Sequence, residues 1–218
     1  MERPDSVCIK EYFQKYAENF DSLYSKNRNI FLRLLDALFR RDIHQRFVLT
    51  LRELGDLSGR SVLDVGCGSG RYCVALAKKN ALLVMGLDLS ENMLKLAQDL
   101  ASRSGVGGTC RFIKSDFEDF SSPEKFDLSL AIGVFDYVRE PDKFLRKLKA
   151  LTKTKIIASF PRSLFFRTLQ RKMRYQGKGC PVFFYDKNKI IELFTACDLE
   201  NIFIKKLQGD WFVAATLS

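Results

Sequence analysis

Long apolar runs are absent from the 218-residue chain, and none approaches the length that a membrane-spanning helix needs. Residues 1–8 have no apolar stretch behind their charges, so the sequence predicts no secretory signal. We find no internal repeat and no low-complexity segment. With a hydrophobic content of 46%, residues 1–218 are most simply a single domain with one sizeable core.

Histidine is nearly absent, and the cysteines do not cluster. His44 is the single histidine, and its position in a helical stretch favours a surface or packing role. The six cysteines show no zinc-type spacing: Cys8, Cys67, Cys73, Cys110, Cys180 and Cys197. Small buried thiols of this kind are typical of a reducing compartment, so we expect a cytoplasmic protein without a bound metal.

Three glycines occupy every second position directly after a short apolar segment: Gly66, Gly68 and Gly70. The segment, Ser61–Val65, has the valines of a buried strand, and Tyr72–Lys79 has the apolar rhythm of a helix. Residues without a Cβ permit unusual backbone angles and let a ligand lie against the main chain. The helix that follows presents free N–H groups at its first turn.

The glycine spacing separates two kinds of nucleotide-binding turn. The dinucleotide fingerprint is G-x-G-x-x-G, whereas this turn reads G-x-G-x-G, with Arg71 in the place of the third glycine and Asp64 inside the strand. Val62–Tyr72 resembles motif I of the class I S-adenosylmethionine (SAM) dependent methyltransferases, V-L-D-x-G-x-G-x-G. The alternative is a glycine-rich turn in another α/β protein.

The resemblance extends to three later stretches, in the order that the family shows. A second strand ends at Asp88, which the family implies would hold the ribose hydroxyls of SAM, with Leu89 or Met93 against the adenine. Core packing is the alternative for Leu89 and Met93. By the same resemblance, Asp116 and Phe117 follow the third strand and would bind the adenine. The implied cofactor residues, including a motif IV at the fourth strand, are Asp64, Gly66, Cys67, Gly68, Gly70, Asp88, Leu89, Met93, Asp116, Phe117, Ala131, Ile132 and Gly133.

The family's α/β fold is a three-layer α/β/α sandwich with an N-terminal helical lid. Its seven-stranded, mostly parallel sheet has the order 3-2-1-4-5-7-6, with the last strand antiparallel. We divide the domain into a lid, a SAM-binding core, an insertion and a C-terminal helix with a hairpin: residues 1–55, 61–160, 161–185 and 186–218. Strands are predicted at 61–65, 81–88, 109–114, 126–132, 155–160, 199–207 and 210–217, and later helices at 141–151 and 186–197.

Two segments outside the core are candidates for contact with the methyl acceptor. An aromatic stripe in the lid includes Tyr12, Tyr16 and Tyr24, which either line the acceptor pocket or pack in the core. The insertion contains no acid and presents Arg167, Arg171 and Arg174 among aromatic residues. A basic, aromatic cap suits an anionic and partly apolar acceptor or a membrane surface; a solvated helix in a chain of net charge +10 is the alternative.

Acid–base help is needed only if the acceptor is a neutral alcohol or amine. Asp136 and Tyr137, just past the fourth strand, are the candidates, and the sequence leaves the base open. The segment Ala131–Tyr137 lacks the Asn/Asp-Pro-Pro-Tyr/Phe tetrapeptide of amino-methylating nucleic-acid enzymes. The order from Ile156–Pro161 into the basic helix loosely resembles magnesium-protoporphyrin O-methyltransferases, from which we take only an anionic, apolar acceptor.

We therefore expect a methyltransferase that converts SAM to S-adenosylhomocysteine and methylates a small or lipid-like acceptor, on oxygen rather than nitrogen. Two alternatives stay open. A methyltransferase acting on RNA or protein would use the positive surface, and its binding would depend strongly on salt. A catalytically silent subunit would keep the glycine turn without an acceptor pocket.

Overall fold

A computed structural model of the chain describes residues 43–163 and 182–217. Within them, the polypeptide forms one sheet with helices on both faces. The elements in chain order are α1 (43–54), β1 (Ser61–Val65), α2 (Arg71–Ala77), β2 (Leu83–Asp88), α3 (Glu91–Arg103), β3 (Cys110–Lys114), β4 (Phe126–Ala131), α4 (Pro141–Ala150), β5 (Thr152–Pro161), α5 (Lys187–Thr195), β6 (Glu200–Lys206) and β7 (Asp210–Thr216).

The seven strands lie in the order β3-β2-β1-β4-β5-β7-β6, which confirms the predicted sheet. Strands β1 to β5 pair parallel with one another, and β7 runs antiparallel to both β5 and β6. Because parallel strands share a direction, the loops after β1, β2, β3 and β4 meet at one edge of the sheet. Ligands of open α/β sheets bind at that carboxyl edge.

Side chains of β1 alternate between two separate hydrophobic clusters, as a strand buried on both faces requires. Leu63 and Val65 pack in the cluster that contains α4 and α5. Val62 packs in the cluster that contains α1, α2 and α3. Asp64 faces the same side of the sheet as Val62 and contacts Cys73 of α2, so a carboxyl group lies between the sheet and α2.

Several element boundaries differ from those predicted. Strand β5 begins at Thr152 rather than at residue 155, because Thr152 pairs with Phe126 ahead of a bulge. Helix α2 ends at Ala77 rather than Lys79, and the chain then turns through a left-handed residue at Asn80 (φ 63°). No helix within the described ranges is both long and apolar enough to span a membrane.

Candidate functional site

The glycine turn after β1 is fixed to the end of β2 by its own backbone. The amide groups of Gly66 and Cys67 both donate to the carbonyl oxygen of Leu87, at 2.8 and 2.9 Å. Parallel pairing of β1 with β2 and β4 brings this turn beside the loops that follow those strands. The residues that the sequence assigned to four separate motifs thus share one edge of the sheet.

All three glycines of the turn have left-handed backbone angles, with φ of 71°, 52° and 75°, but their surroundings differ. A Cβ on Gly66 would lie 2.6 Å from Val134 Cγ2, and one on Gly70 would lie 2.7 Å from Ala97 Cβ. A Cβ on Gly68 would meet no atom of the described residues within 4 Å. The outer glycines therefore permit close packing, whereas Gly68 leaves bare backbone facing open space, as a cofactor cradle requires.

Asp88 connects the end of β2 to this cradle. Its Oδ2 accepts a hydrogen bond from the amide of Gly68 at 2.9 Å, and its Oδ1 accepts one from the amide of Ser90 at 2.8 Å. Burial raises the pKa of the carboxyl group, and these backbone donors act in the opposite direction. Each carboxylate oxygen has a second acceptor position, so Asp88 can also accept hydrogen bonds from a diol such as ribose.

Asp64 lies beneath the glycine turn and is only 2% exposed. The Cys73 thiol donates a hydrogen bond to its Oδ2 at 3.3 Å. Burial raises the pKa of Asp64 to about 7, the thiol hydrogen bond lowers it, and the charge of Asp88 adds a further increase. Direct contact between Asp64 and SAM stays a prediction.

Of the residues predicted to surround the adenine, two are half-buried in loops and two are buried in the core. Leu89 is half-buried, while Met93 is 1% exposed. Asp116 Oδ1 accepts a hydrogen bond from the amide of Glu118 at 2.9 Å. The Phe117 ring packs against Phe144, with centroids 4.5 Å apart, so its side chain belongs to the core and its backbone is the part suited to contact a ligand.

The loop after β4 carries the predicted motif IV and the predicted catalytic residues. Ala131 is buried, Ile132 is half-buried, and the Gly133 amide donates to Ser159 Oγ at 2.9 Å. Asp136 is 8% exposed, and Tyr137 is half-buried. The loop is thus a mixture of apolar surface and one largely buried carboxyl group.

Sequence reasoning missed a polar cluster that joins α1 to this loop. Arg46 Nη1 lies 3.0 Å from Asp210 Oδ2 and donates to Ser159 Oγ at 3.3 Å. Ser159 thereby connects the guanidinium group to the Gly133 amide. The three side chains come from α1, β5 and β7. In the sequence, the cluster is indicated only by the charge of Arg46 within an apolar helix and by that of Asp210 at the start of an apolar strand.

Tyr185 was also missed, although it lies close to Asp136. It is buried against Phe160, with ring centroids 5.0 Å apart. Burial, together with the negative charge of Asp136, raises the pKa of the Tyr185 hydroxyl well above its usual range. Tyr185 is therefore protonated near neutral pH, when it can donate a hydrogen bond but cannot act as a base.

The other groups named from the sequence are exposed or lie outside the described residues. His44 is exposed on α1. The predicted acceptor contacts all fall outside residues 43–163 and 182–217: Tyr12, Tyr16, Tyr24, Arg167, Arg171 and Arg174. Within those ranges, no group of three or more histidine, cysteine or acidic side chains could hold a metal ion.

Comparison with known sequences identifies a family for most of the chain. A family model described as a methyltransferase domain matches residues 56–196. A ubiquinone biosynthesis O-methyltransferase of Actinobacillus pleuropneumoniae is 30% identical over 175 residues, covering 72% of this chain and 71% of that protein. Ajmaline N-methyltransferase of Rauvolfia serpentina is 36% identical over 90 residues, covering 41% of this chain but only 31% of that protein.

Solved structures of other proteins have the same fold. The magnesium protoporphyrin IX methyltransferase of Synechocystis PCC 6803 with bound S-adenosylhomocysteine superposes with a TM-score of 0.77 at 20% identity, covering 98% of this chain and 100% of that one. The same enzyme with bound SAM gives a TM-score of 0.75. Together with the glycine cradle and Asp88, these matches assign the chain to the methyltransferase domain family, as a class I SAM-dependent methyltransferase.

Proposed function

We propose that the enzyme methylates an oxygen atom of a small or lipid-like acceptor that combines an apolar body with an anionic group. The observation that supports this most directly concerns Asp136 in the loop after β4, whose carboxyl group is largely buried and lies beside Tyr185. Bound SAM supplies an electrophilic methyl group, so the protein has only to align the nucleophile, exclude water and accept a proton where one is released.

The cofactor side of this proposal rests on the edge formed by β1, β2 and β3. Gly68 offers open backbone, and Asp88 has an acceptor position left on each carboxylate oxygen for the ribose. The loop at Asp116 and Phe117 would receive the adenine, and Ala131–Gly133 would flank the methionine part. The Arg46 guanidinium lies 3.9 Å from where a Cβ on Gly133 would be, so a cation stands beside that last segment.

Asp136 favours oxygen over nitrogen as the methylated atom. A buried carboxylate stabilises a neighbouring amine as its ammonium ion, which has no lone pair for attack on a methyl group. A hydroxyl group instead donates its proton to the carboxylate and becomes a better nucleophile. Tyr185, held protonated, would orient this group rather than act as the base. The relatives also support oxygen, because the match to an N-methyltransferase covers 41% of this chain and that to an O-methyltransferase covers 72%.

The anionic part of the acceptor depends on the insertion. In the described part of the acceptor edge, Arg46 pairs with Asp210, and Arg162 donates to the carbonyl of Leu207 at 2.6 Å while stacking on Trp211. These two cations are already engaged. We therefore assign anion recognition to Arg167, Arg171 and Arg174, with the lid tyrosines Tyr12, Tyr16 and Tyr24 against the apolar body.

A small anionic acceptor accounts for these features more simply than a nucleic acid, and peripheral contact with a membrane is compatible with it. We place the reaction in the cytosol, which suits the four free cysteines of the described ranges: Cys67, Cys73, Cys110 and Cys197.

Transfer of a radiolabelled methyl group from SAM to matched acceptors tests this proposal. Each acceptor pair differs in one respect, hydroxyl against amine or carboxylate present against absent, on the same aromatic or prenylated body. We expect transfer to the hydroxyl members, with a lower KM when the carboxylate is present and no transfer by Asp88→Ala. Preferred transfer to amines or to RNA contradicts the proposal, and SAM binding without transfer to any class points to a silent subunit.

A further inference from the structure

A basic concavity opens at the amino edge of the sheet, opposite the cofactor cradle. Its volume is about 570 Å³. The concavity is lined by Lys125, Arg146, Lys149, Ala150, Thr152, Lys153, Cys197, Asp198 and Leu217. We infer that it binds a small organic molecule carrying phosphate groups, at a site separate from the SAM and acceptor edge.

The strands place this concavity far from the methyl-transfer site. Lys125 directly precedes β4, and Thr152 is the first residue of β5. The six residues of β4 separate this edge from Ala131 by about 17 Å at the usual rise per residue. A ligand here would touch neither the glycine turn nor the loop that carries Asp136.

The charge of the lining is strongly positive. Four cations face one acid, Asp198, which contacts Lys149 at 3.5 Å. Outside the lining, Asp127 pairs with Lys153 at 3.3 Å. Counting these two acids against the four cations leaves an excess of two positive charges, with Asp142 as a further acid close to Cys197. Such an excess attracts an anion that carries more than one negative charge, as phosphate groups do at neutral pH.

Two of the four cations also hold the chain that follows α5. Arg146 donates to the carbonyl of Ala196 at 2.7 Å, and Lys149 donates to that of Asp198 at 3.0 Å, so both satisfy carbonyls that follow α5. Arg146 has five N–H donors, and only one is used in that contact. Lys125 differs, because its side chain makes no hydrogen bond or ion pair within residues 43–163 and 182–217 and is exposed.

The size and the remaining lining favour a compact organic phosphate. The volume lies within the usual 300–1,000 Å³ of small-molecule pockets and exceeds what a single phosphate group fills. Ala150 and Leu217 supply apolar surface for a carbon skeleton. The hydroxyl of Thr152 is committed to Leu148 and Ser129, at 2.6 and 2.7 Å, which leaves the cations as the donors. Converging cations also suit a compact ligand better than the stripe that an extended nucleic acid needs.

Titration with pyrophosphate, followed by amide NMR shifts at constant ionic strength, tests the site. The protein is saturated with S-adenosylhomocysteine so that the cofactor cradle is occupied. We expect shifts around residues 125, 146–153 and 197–198. The double variant Lys125→Gln/Lys153→Gln removes two of the four cations and should weaken binding about tenfold or more. These two lysines are chosen because, unlike Arg146 and Lys149, they do not bond the carbonyls that follow α5. The matched control Lys95→Gln/Lys205→Gln, which alters two exposed lysines elsewhere, should change affinity less than about twofold.

Vesicles of phosphatidylcholine with phosphatidic acid distinguish a lipid headgroup from a free phosphorylated molecule. Vesicle binding that is lost in Lys125→Gln/Lys153→Gln assigns the phosphate to a lipid, whereas pyrophosphate binding alone assigns it to a free metabolite. Equal weakening by the site variant and its control overturns the proposal, as does the absence of both kinds of binding. Failure here leaves methyl transfer to matched acceptors unaffected, so the two proposals fail separately.

Discussion

The proposed cofactor edge, at the carboxyl ends of β1 and β2, and the proposed acceptor edge, at the carboxyl ends of β4 and β5 and the start of β7, are built by different means. At the cofactor edge, glycine φ angles and a carboxylate bound to backbone amides set the geometry within residues 64–90. At the acceptor edge, Arg46 reaches Ser159 across 113 residues and also pairs with Asp210. The proposed cofactor site is thus held by a local motif, and the proposed acceptor site is held by long-range contacts.

The largest effect that separates the two edges is expected from Arg46→Gln. Removing the guanidinium takes away a positive charge 3.0 Å from the carboxylate of Asp210, whose side chain is only 4% exposed. Breaking one partner of a buried ion pair costs about 3–5 kcal/mol of unfolding free energy. Urea unfolding measures the loss, and adding Asp210→Asn should recover part of it. A loss below about 1 kcal/mol would mean that this cluster does not hold the acceptor edge together.

Gly70→Ala should have the next largest effect, and it concerns packing alone. The new Cβ would lie 2.7 Å from Ala97 Cβ and 3.0 Å from its Cα, in a backbone with φ of 75°. Overpacking and left-handed strain together should lower the unfolding free energy by about 2–4 kcal/mol. Gly105→Ala is the matched control, because Gly105 has φ of 71° and open space around it. Equal losses for the two variants would refute the role of Gly70 in packing α2 against α3.

The residues changed in these two variants also show which contacts can be predicted from the sequence and which cannot. The glycine turn and Asp88 lie in short local patterns, and the strand order follows from the resemblance to the methyltransferase family that these patterns carry. The different roles of the three glycines could not be predicted, since the neighbours of Gly66 and Gly70 are Val134 and Ala97 from other elements. Arg46, Ser159 and Tyr185 were missed for the same reason, because their partners are brought together only by the folded sheet.

Asp64 should give the cofactor edge a characteristic dependence on pH. In the unfolded chain this carboxyl group ionises near pH 3.8, while burial keeps it protonated to about pH 7 in the folded protein. Its protonated form therefore contributes stability at low pH that is lost as the pH rises toward 7. Between pH 5 and pH 7 we expect a loss of about 2 kcal/mol in unfolding free energy that Asp64→Asn lacks.

Urea unfolding of both proteins at several pH values isolates this contribution. The amide of the Asp64→Asn variant cannot ionise but keeps the shape of the side chain and an oxygen to accept the Cys73 hydrogen bond. A difference between the two pH profiles therefore reports ionisation and not packing. Parallel pH profiles for the wild type and Asp64→Asn would show that Asp64 has an ordinary pKa.

Asp88→Ala should act on SAM binding more than on folding. The variant removes the acceptor for the Gly68 and Ser90 amides and the positions proposed for the ribose. We expect S-adenosylhomocysteine affinity to fall by about 1–3 kcal/mol in calorimetric titration. Lys205→Gln, an exposed change on β6, should bind as the wild type does. Unchanged affinity in Asp88→Ala would refute the assignment of Asp88 to the ribose, but it would not affect the assignment of the fold.

Gly68→Ala should change stability least, and it separates a cradle from a packing contact most directly. Among residues 43–163 and 182–217, its Cβ would meet no atom within 4 Å, so the left-handed backbone, at φ of 52°, is what opposes it. The expected loss in unfolding free energy is about 1 kcal/mol. If a cofactor lies against this backbone, the same methyl group should weaken S-adenosylhomocysteine binding about tenfold or more. We expect the opposite order for Gly70→Ala, with a larger loss of stability than of binding. Normal binding by a folded Gly68→Ala protein would place the cofactor elsewhere on the edge, because the added methyl group would then not collide with it.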